Sequence, residues 1–145
     1  MYTSKYYAEI KLTVTEDLGD PYPKFGLAVR NASNTLFYYV DGSGNYSKSR
    51  VGVVERNSTN TDWAWSESQE KGVETFSFTN GEYVTLGIYR NQNVFTFYVN
   101  GVEAFSLTDV NGFTAESIDA LAILSFTTGI QVKDYFISTD TSRFE

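Results

Sequence analysis

The sequence predicts an all-β domain, a sandwich or barrel of antiparallel strands. Hydrophobic residues alternate with a period of two through most of the chain, and no stretch sustains a helical period. Clusters of Asn, Gly, Asp and Ser recur between the alternating runs, where turns belong. Aromatic residues make up 17% of the 145 residues, a supply of the bulky side chains that suit a pleated, half-buried surface.

The elements follow in order. Residues 7–15 alternate, with Ala8, Ile10, Leu12 and Val14 inward and Glu9, Lys11 and Thr13 outward. A loop over 16–24 holds both prolines, Pro21 and Pro23. Strands are predicted at 25–30, 36–40 and 50–56, separated by turns at 31–34 and 41–45. After a polar loop at 57–62 come short strands at 63–66 and 73–78. Residues 82–107 read as a meander. Val84, Leu86 and Ile88 point one way, and Tyr83, Thr85 and Tyr89 the other. Asn91, Gln92 and Asn93 turn the chain into Phe95, Phe97 and Val99, and Asn100-Gly101 turns it again towards Phe105 and Leu107. Asn-Gly is the strongest short hairpin signal, because both residues tolerate the positive φ of a type I′ turn. Residues 114–120 offer one turn at most. Residues 118–126 are apolar on both sides, as in a central strand, and 129–138 close the domain. One domain over 1–138 is expected, with 139–145 as a tail or linker.

Composition removes several functions. With no cysteine there is no disulfide framework and no thiolate metal site. With no histidine the commonest general base and transition-metal ligand is missing. A net charge of −7 argues against binding nucleic acid through phosphate neutralisation. The longest pure apolar run, 120–124, is far too short for a membrane span. No apolar signal-peptide core is visible near Met1, so the chain is expected to be cytoplasmic when made or a piece of a larger protein.

Several segments carry a resemblance. Residues 6–12 (YYAEIKL), 24–30 (KFGLAVR), 84–90 (VTLGIYR) running on to 97–101 (FYVNG), and 130–137 (IQVKDYFI) resemble strands of the concanavalin A-like lectin/glucanase superfamily, particularly its laminin-G-like members. A SPRY-type sandwich is partly similar. The resemblance implies a jelly-roll sandwich of two antiparallel sheets with the last strand beside the first. It also implies binding of glycans or proteins as the usual activity, with catalysis in a minority of families. Glycosidases of this fold resemble one another in a strand bearing Glu-x-Asp-x-Glu or Glu-x-Asp-x-x-Glu, a motif that this chain lacks. Glu67/Glu70 and Glu116/Asp119 have other spacings, so no enzyme is expected.

Sugars stack their C–H faces on aromatic rings and hydrogen-bond to planar polar groups. Trp63 and Trp65, two apart, share one face of a strand, and Asn57, Asn60 and Asp62 precede them. The alternative is that these indoles belong to the core. A second candidate is the polar face of the meander, Tyr83, Tyr89 and Tyr98 beside Arg90, against which stands an ordinary solvated sheet face. Tyr38 and Tyr39 split between faces and read as structural. Calcium is the one cofactor left open: Asp17 and Asp20 sit with Glu16 in one acidic loop, whose default is a solvated turn. Asp41, Ser43 and Asn45 alternate oxygens but lack the glycine and glutamate of an EF-hand. The expected function is a non-catalytic, lectin-like module of an extracellular or virion-surface protein, partnered by a glycan or a surface protein. The rival is a structural display domain with no ligand.

Overall fold

In a computed structural model, the described residues are 4–17, 24–41, 50–58, 72–75, 81–114, 116–126 and 128–145. They form ten strands: β1 (Lys5–Asp17), β2 (Lys24–Arg30), β3 (Asn34–Asp41), β4 (Arg50–Asn57), β5 (Gly72–Thr75), β6 (Val84–Asn91), β7 (Val94–Val99), β8 (Val102–Thr108), β9 (Ala120–Phe126) and β10 (Thr128–Ser138). A short 3-10 turn follows at Ser142–Phe144. The expected strands at 63–66 and the end of 73–78 lie outside the described residues.

The strands make two five-stranded antiparallel sheets. The first runs β10-β1-β6-β7-β8 and the second β5-β4-β3-β2-β9. Strand β10 pairs with β1 from Tyr7↔Ser138 to Asp17↔Thr128, so the last strand does lie beside the first. Alternation sends one face of each sheet into a shared core. Ile10, Leu12, Leu86, Ile88, Phe95 and Phe97 come from the first sheet, and Phe25, Leu27, Val29, Tyr38 and Val53 from the second. Each such side chain contributes roughly 1.5–3 kcal/mol by leaving water. Tyr38 ties the layers together: its ring meets Phe97 edge-on at 4.9 Å, and its hydroxyl donates to the Tyr98 carbonyl at 2.9 Å. Tyr39 points the other way and is also buried, which makes the pair structural on both faces.

The meander is as read. Val99 pairs with Val102, leaving Asn100 and Gly101 as a two-residue turn with φ of 50° and 81°. The turn is pinned sideways as well. The Asn100 side-chain carbonyl accepts the Thr85 N–H at 2.9 Å, and the Asn100 N–H reaches the Thr85 carbonyl at 2.8 Å.

Strand β9 corrects one expectation. It is an edge strand, paired only with β2, and not central. Its two apolar sides have separate causes. Leu121 packs on the inter-sheet core, while Leu124 packs on a second cluster on the outer face: Ala28, Phe37, Tyr39 and Val54. A sheet buried on both faces writes an apolar run into its edge as readily as into its centre.

Candidate functional site

The outer face of the first sheet carries the aromatic residues that alternation leaves over. In register, Tyr7 of β1 lies opposite Tyr89 of β6, and Gly87 lies opposite Tyr98 of β7. Tyr7 and Tyr98 meet edge-on at 6.2 Å, and Phe136 of β10 lies 5.8 Å from Tyr7. Gly87 makes room, since a Cβ there would collide with the Tyr7 hydroxyl and come within 3.0 Å of its ring carbons. The Tyr7 hydroxyl donates to Glu9 at 2.7 Å.

Residues 139–145, expected as a tail or linker, fold back over this face. Phe144 stacks on Tyr89 at 4.6 Å with 17° between planes. It also lies 4.6 Å from Tyr7 and 5.6 Å from Tyr98. The Arg143 guanidinium sits 4.5 Å above the Tyr7 ring. Thr141 is buried, and Lys5 pairs with Glu145. Tyr7 and Tyr89 are therefore buried on a face that alternation alone would leave wet.

The second sequence candidate comes apart. Tyr89 and Tyr98 do share the outer face. Tyr83 stands at the far end of it, partly exposed, with the Lys133 ammonium 5.0 Å from its ring. Lys133 is the extra residue where the β1–β10 register shifts. Arg90 does not lie beside the tyrosines. It shares the parity of Leu86 and Ile88, and it is wholly buried on the inner side. Its guanidinium holds Asp119 at 2.6 Å, the Thr114 carbonyl at 2.5 Å, the Ser117 hydroxyl at 2.9 Å and the Gln92 carbonyl at 3.0 Å. Phe95 and Phe113 flank it at 5.3 and 5.5 Å. Tyr6 donates to the same Asp119 oxygen at 2.8 Å. Burial lifts the Asp119 carboxyl above its ordinary value, while Tyr6 and Arg90 pull it back down. This network fastens the β8–β9 connection to the end of the sandwich; Asp119 is committed to it and is no free carboxylate.

Of the first sequence candidate, Asn60, Asp62, Trp63 and Trp65 lie outside the described residues. Asn57, half-buried, ends β4 opposite Asn34. Asp17 ends β1 opposite Thr128, its side chain outside the described residues, as is the whole of Asp20. Among the described residues, no group of three or more metal-binding side chains forms. A groove of about 220 Å³ opens between the sheets where β9 nears β10, lined by Ala8, Ile10, Leu27, Ile123 and Ile137 among others. Its walls are apolar and lack the converging polar groups of a sugar site.

The buried phenols predict an alkaline limit. Burial raises Tyr6, Tyr7 and Tyr38 above the ordinary tyrosine value, and hydrogen bonds to Asp119 and Glu9 reinforce the rise for Tyr6 and Tyr7. Each holds its proton more tightly folded than unfolded. Their contribution to stability is complete below about pH 10 and is lost as pH climbs beyond it. Phenolate absorbance should show these three ionising only as the β-sheet signal in circular dichroism collapses. Ionisation of all eleven tyrosines near pH 10 with the sheets intact would contradict this.

No protein-family model matches the sequence, and no curated protein does. Solved structures match in fold. The galectin LEC-6 of Caenorhabditis elegans is 14% identical with a TM-score of 0.63, over 94% of this chain and 84% of that one. CG-16, a homodimeric agglutinin from chicken liver, is 17% identical with a TM-score of 0.60, over 94% and 93%. The GH43 protein BlXynB of Bacillus licheniformis is 13% identical with a TM-score of 0.65, over 92% of this chain but 27% of that one. What these likenesses show is the fold: a sandwich of two antiparallel sheets, as in the galectin, the agglutinin and part of the GH43 protein.

Proposed function

We propose that this chain is a non-catalytic carbohydrate-binding module. The observation that carries the reading is the extent of the structural likeness. The chain covers 84% of the galectin and 93% of the agglutinin but only 27% of the GH43 protein, so the likeness to the two lectins is the more extensive. Two further points support it. The sequence lacks the paired-carboxylate strand motif, and Asp119, buried, is consumed by Arg90 and Tyr6. In this reading Trp63 and Trp65 stack on a neutral sugar, with Asn57, Asn60 and Asp62 supplying hydrogen bonds. Such glycans are displayed on surfaces, so an extracellular or virion-exposed setting fits.

Titration with neutral oligosaccharides, followed by tryptophan fluorescence, tests it. Binding should be lost in Trp63→Ala or Trp65→Ala, with little change in unfolding midpoint. Indoles that no glycan perturbs at millimolar concentration would hand the chain to the rival reading, a structural display domain without a ligand.

A further inference from the structure

We infer that the tyrosine face of the first sheet is a second sugar-ring site, kept closed by the chain's own Phe144. The inference rests on the carbohydrate-binding reading. Its observations are separate from Trp63 and Trp65.

The cradle is built for one flat ring. Tyr89 forms the floor, parallel to Phe144 at 4.6 Å, and Tyr7 and Tyr98 stand at 4.6 and 5.6 Å as tilted walls. All three tyrosines rise from paired strands of one sheet, so the walls stay when the occupant leaves. A pyranose ring has about the breadth of a phenyl ring and lays its C–H face on an aromatic face in the same way. The cradle is also polar where a phenyl ring has nothing to offer. The Tyr89 hydroxyl is buried with no hydrogen-bond partner. An unpaired buried hydroxyl is costly, and the hydroxyl of a bound sugar would satisfy it where Phe144 cannot.

The occupant is loosely tied. Within the turn, Phe144 N–H bonds to Thr141 and Glu145 N–H to Ser142, so these backbone bonds are internal. Asp140 caps the turn by accepting from the Ser142 N–H at 3.2 Å and hydroxyl at 2.8 Å. Among the described residues, no backbone–backbone hydrogen bond ties 139–145 to the sheet face; the Asp140 N–H and carbonyl bond to the Ser138 hydroxyl at the very end of β10, where the segment begins. What holds the turn down is the Phe144 ring, the Arg143 guanidinium over Tyr7, buried Thr141 and the exposed Lys5–Glu145 ion pair. Exposed ion pairs of that kind contribute little. The segment can therefore lift as a unit without unzipping a strand, and sugar binding competes with it. If the face is open about a tenth of the time, apparent affinity is about tenfold weaker than that of the bare cradle.

The test compares the full chain with its Phe144→Ala variant. The probes are maltose, cellobiose, lactose and xylobiose, followed by NMR shifts of the Tyr7, Tyr89 and Tyr98 signals. The expected result is roughly tenfold tighter binding of at least one disaccharide to the variant, with shifts centred on those tyrosines. Tyr89→Ala in the Phe144→Ala background should remove the gain. Lys5→Gln, which loosens the turn but keeps every ring, should give a smaller gain in the same direction and serves if Phe144→Ala folds poorly. Equal binding by wild type and variants, or shifts away from the cradle, overturns this inference alone. Absence of binding by every form overturns it together with the carbohydrate-binding reading.

Discussion

Replacing Arg90 with methionine should destabilise the domain by about 3–5 kcal/mol, the range for removing one partner of a buried ion pair. The guanidinium is fully buried and satisfies Asp119, two backbone carbonyls and the Ser117 hydroxyl at once. Methionine fills similar space but leaves Asp119 as a buried charge held only by Tyr6. The Asp119 Oδ1 atom already lacks a partner, which deepens the penalty. Replacing the whole set, with Asp119→Leu and Tyr6→Phe added, should recover much of the loss, because a matched apolar set leaves no charge behind. Denaturant midpoints of the single and triple variants check this. A single variant that loses less than about 1 kcal/mol would show the network to be dispensable.

Gly26→Ala should be a severely damaging one-methyl change. A Cβ at Gly26 would overlap the Tyr38 carbonyl oxygen and lie 2.9 Å from the Tyr38 carbonyl carbon and the Tyr39 Cα. All three atoms are backbone of β3, so no rotamer can relieve the clash. The β2–β3 ladder would have to separate, with β2 also holding the β9 edge. A cost of about 3 kcal/mol or more is expected, the upper end of overpacking, read as a lowered unfolding midpoint or loss of soluble protein. An unchanged midpoint would contradict the close approach of these two strands.

Both effects mark the boundary of what the sequence could reveal. Alternation was enough to find β1, β4 and the β6–β8 meander, and Asn100-Gly101 named its own turn. Alternation also held the correct answer for Arg90. Its parity with Leu86 and Ile88 puts it inside, and only its charge suggested the wet face. What reversed that expectation was Asp119, twenty-nine residues away, a partner no local pattern announces. The packing of 139–145 against the sheet is hidden for a similar reason. The segment's Ser, Thr and Asp residues read as linker, and Phe144 was the single sign that it has something to bury. Tyr89 reads as outward by parity, and Tyr7 shares the parity of outward Glu9; both take that face, yet both are buried, since period two fixes which face a residue takes but not what later covers it. Gly26 had a signal: a glycine inside a strand often marks a close backbone approach.

The most direct test of the central claim is a glycan array, followed by calorimetric titration with the best neutral hit and analysis of the sugar afterwards. Affinity for a neutral glycan should be about micromolar to millimolar, as ring stacking in shallow sites gives. Binding should hardly change between low and high salt, because no counter-ions are released, and the oligosaccharide should be recovered uncleaved. Failure of every neutral glycan to bind at millimolar concentration, or recovery of hydrolysed product, would contradict it.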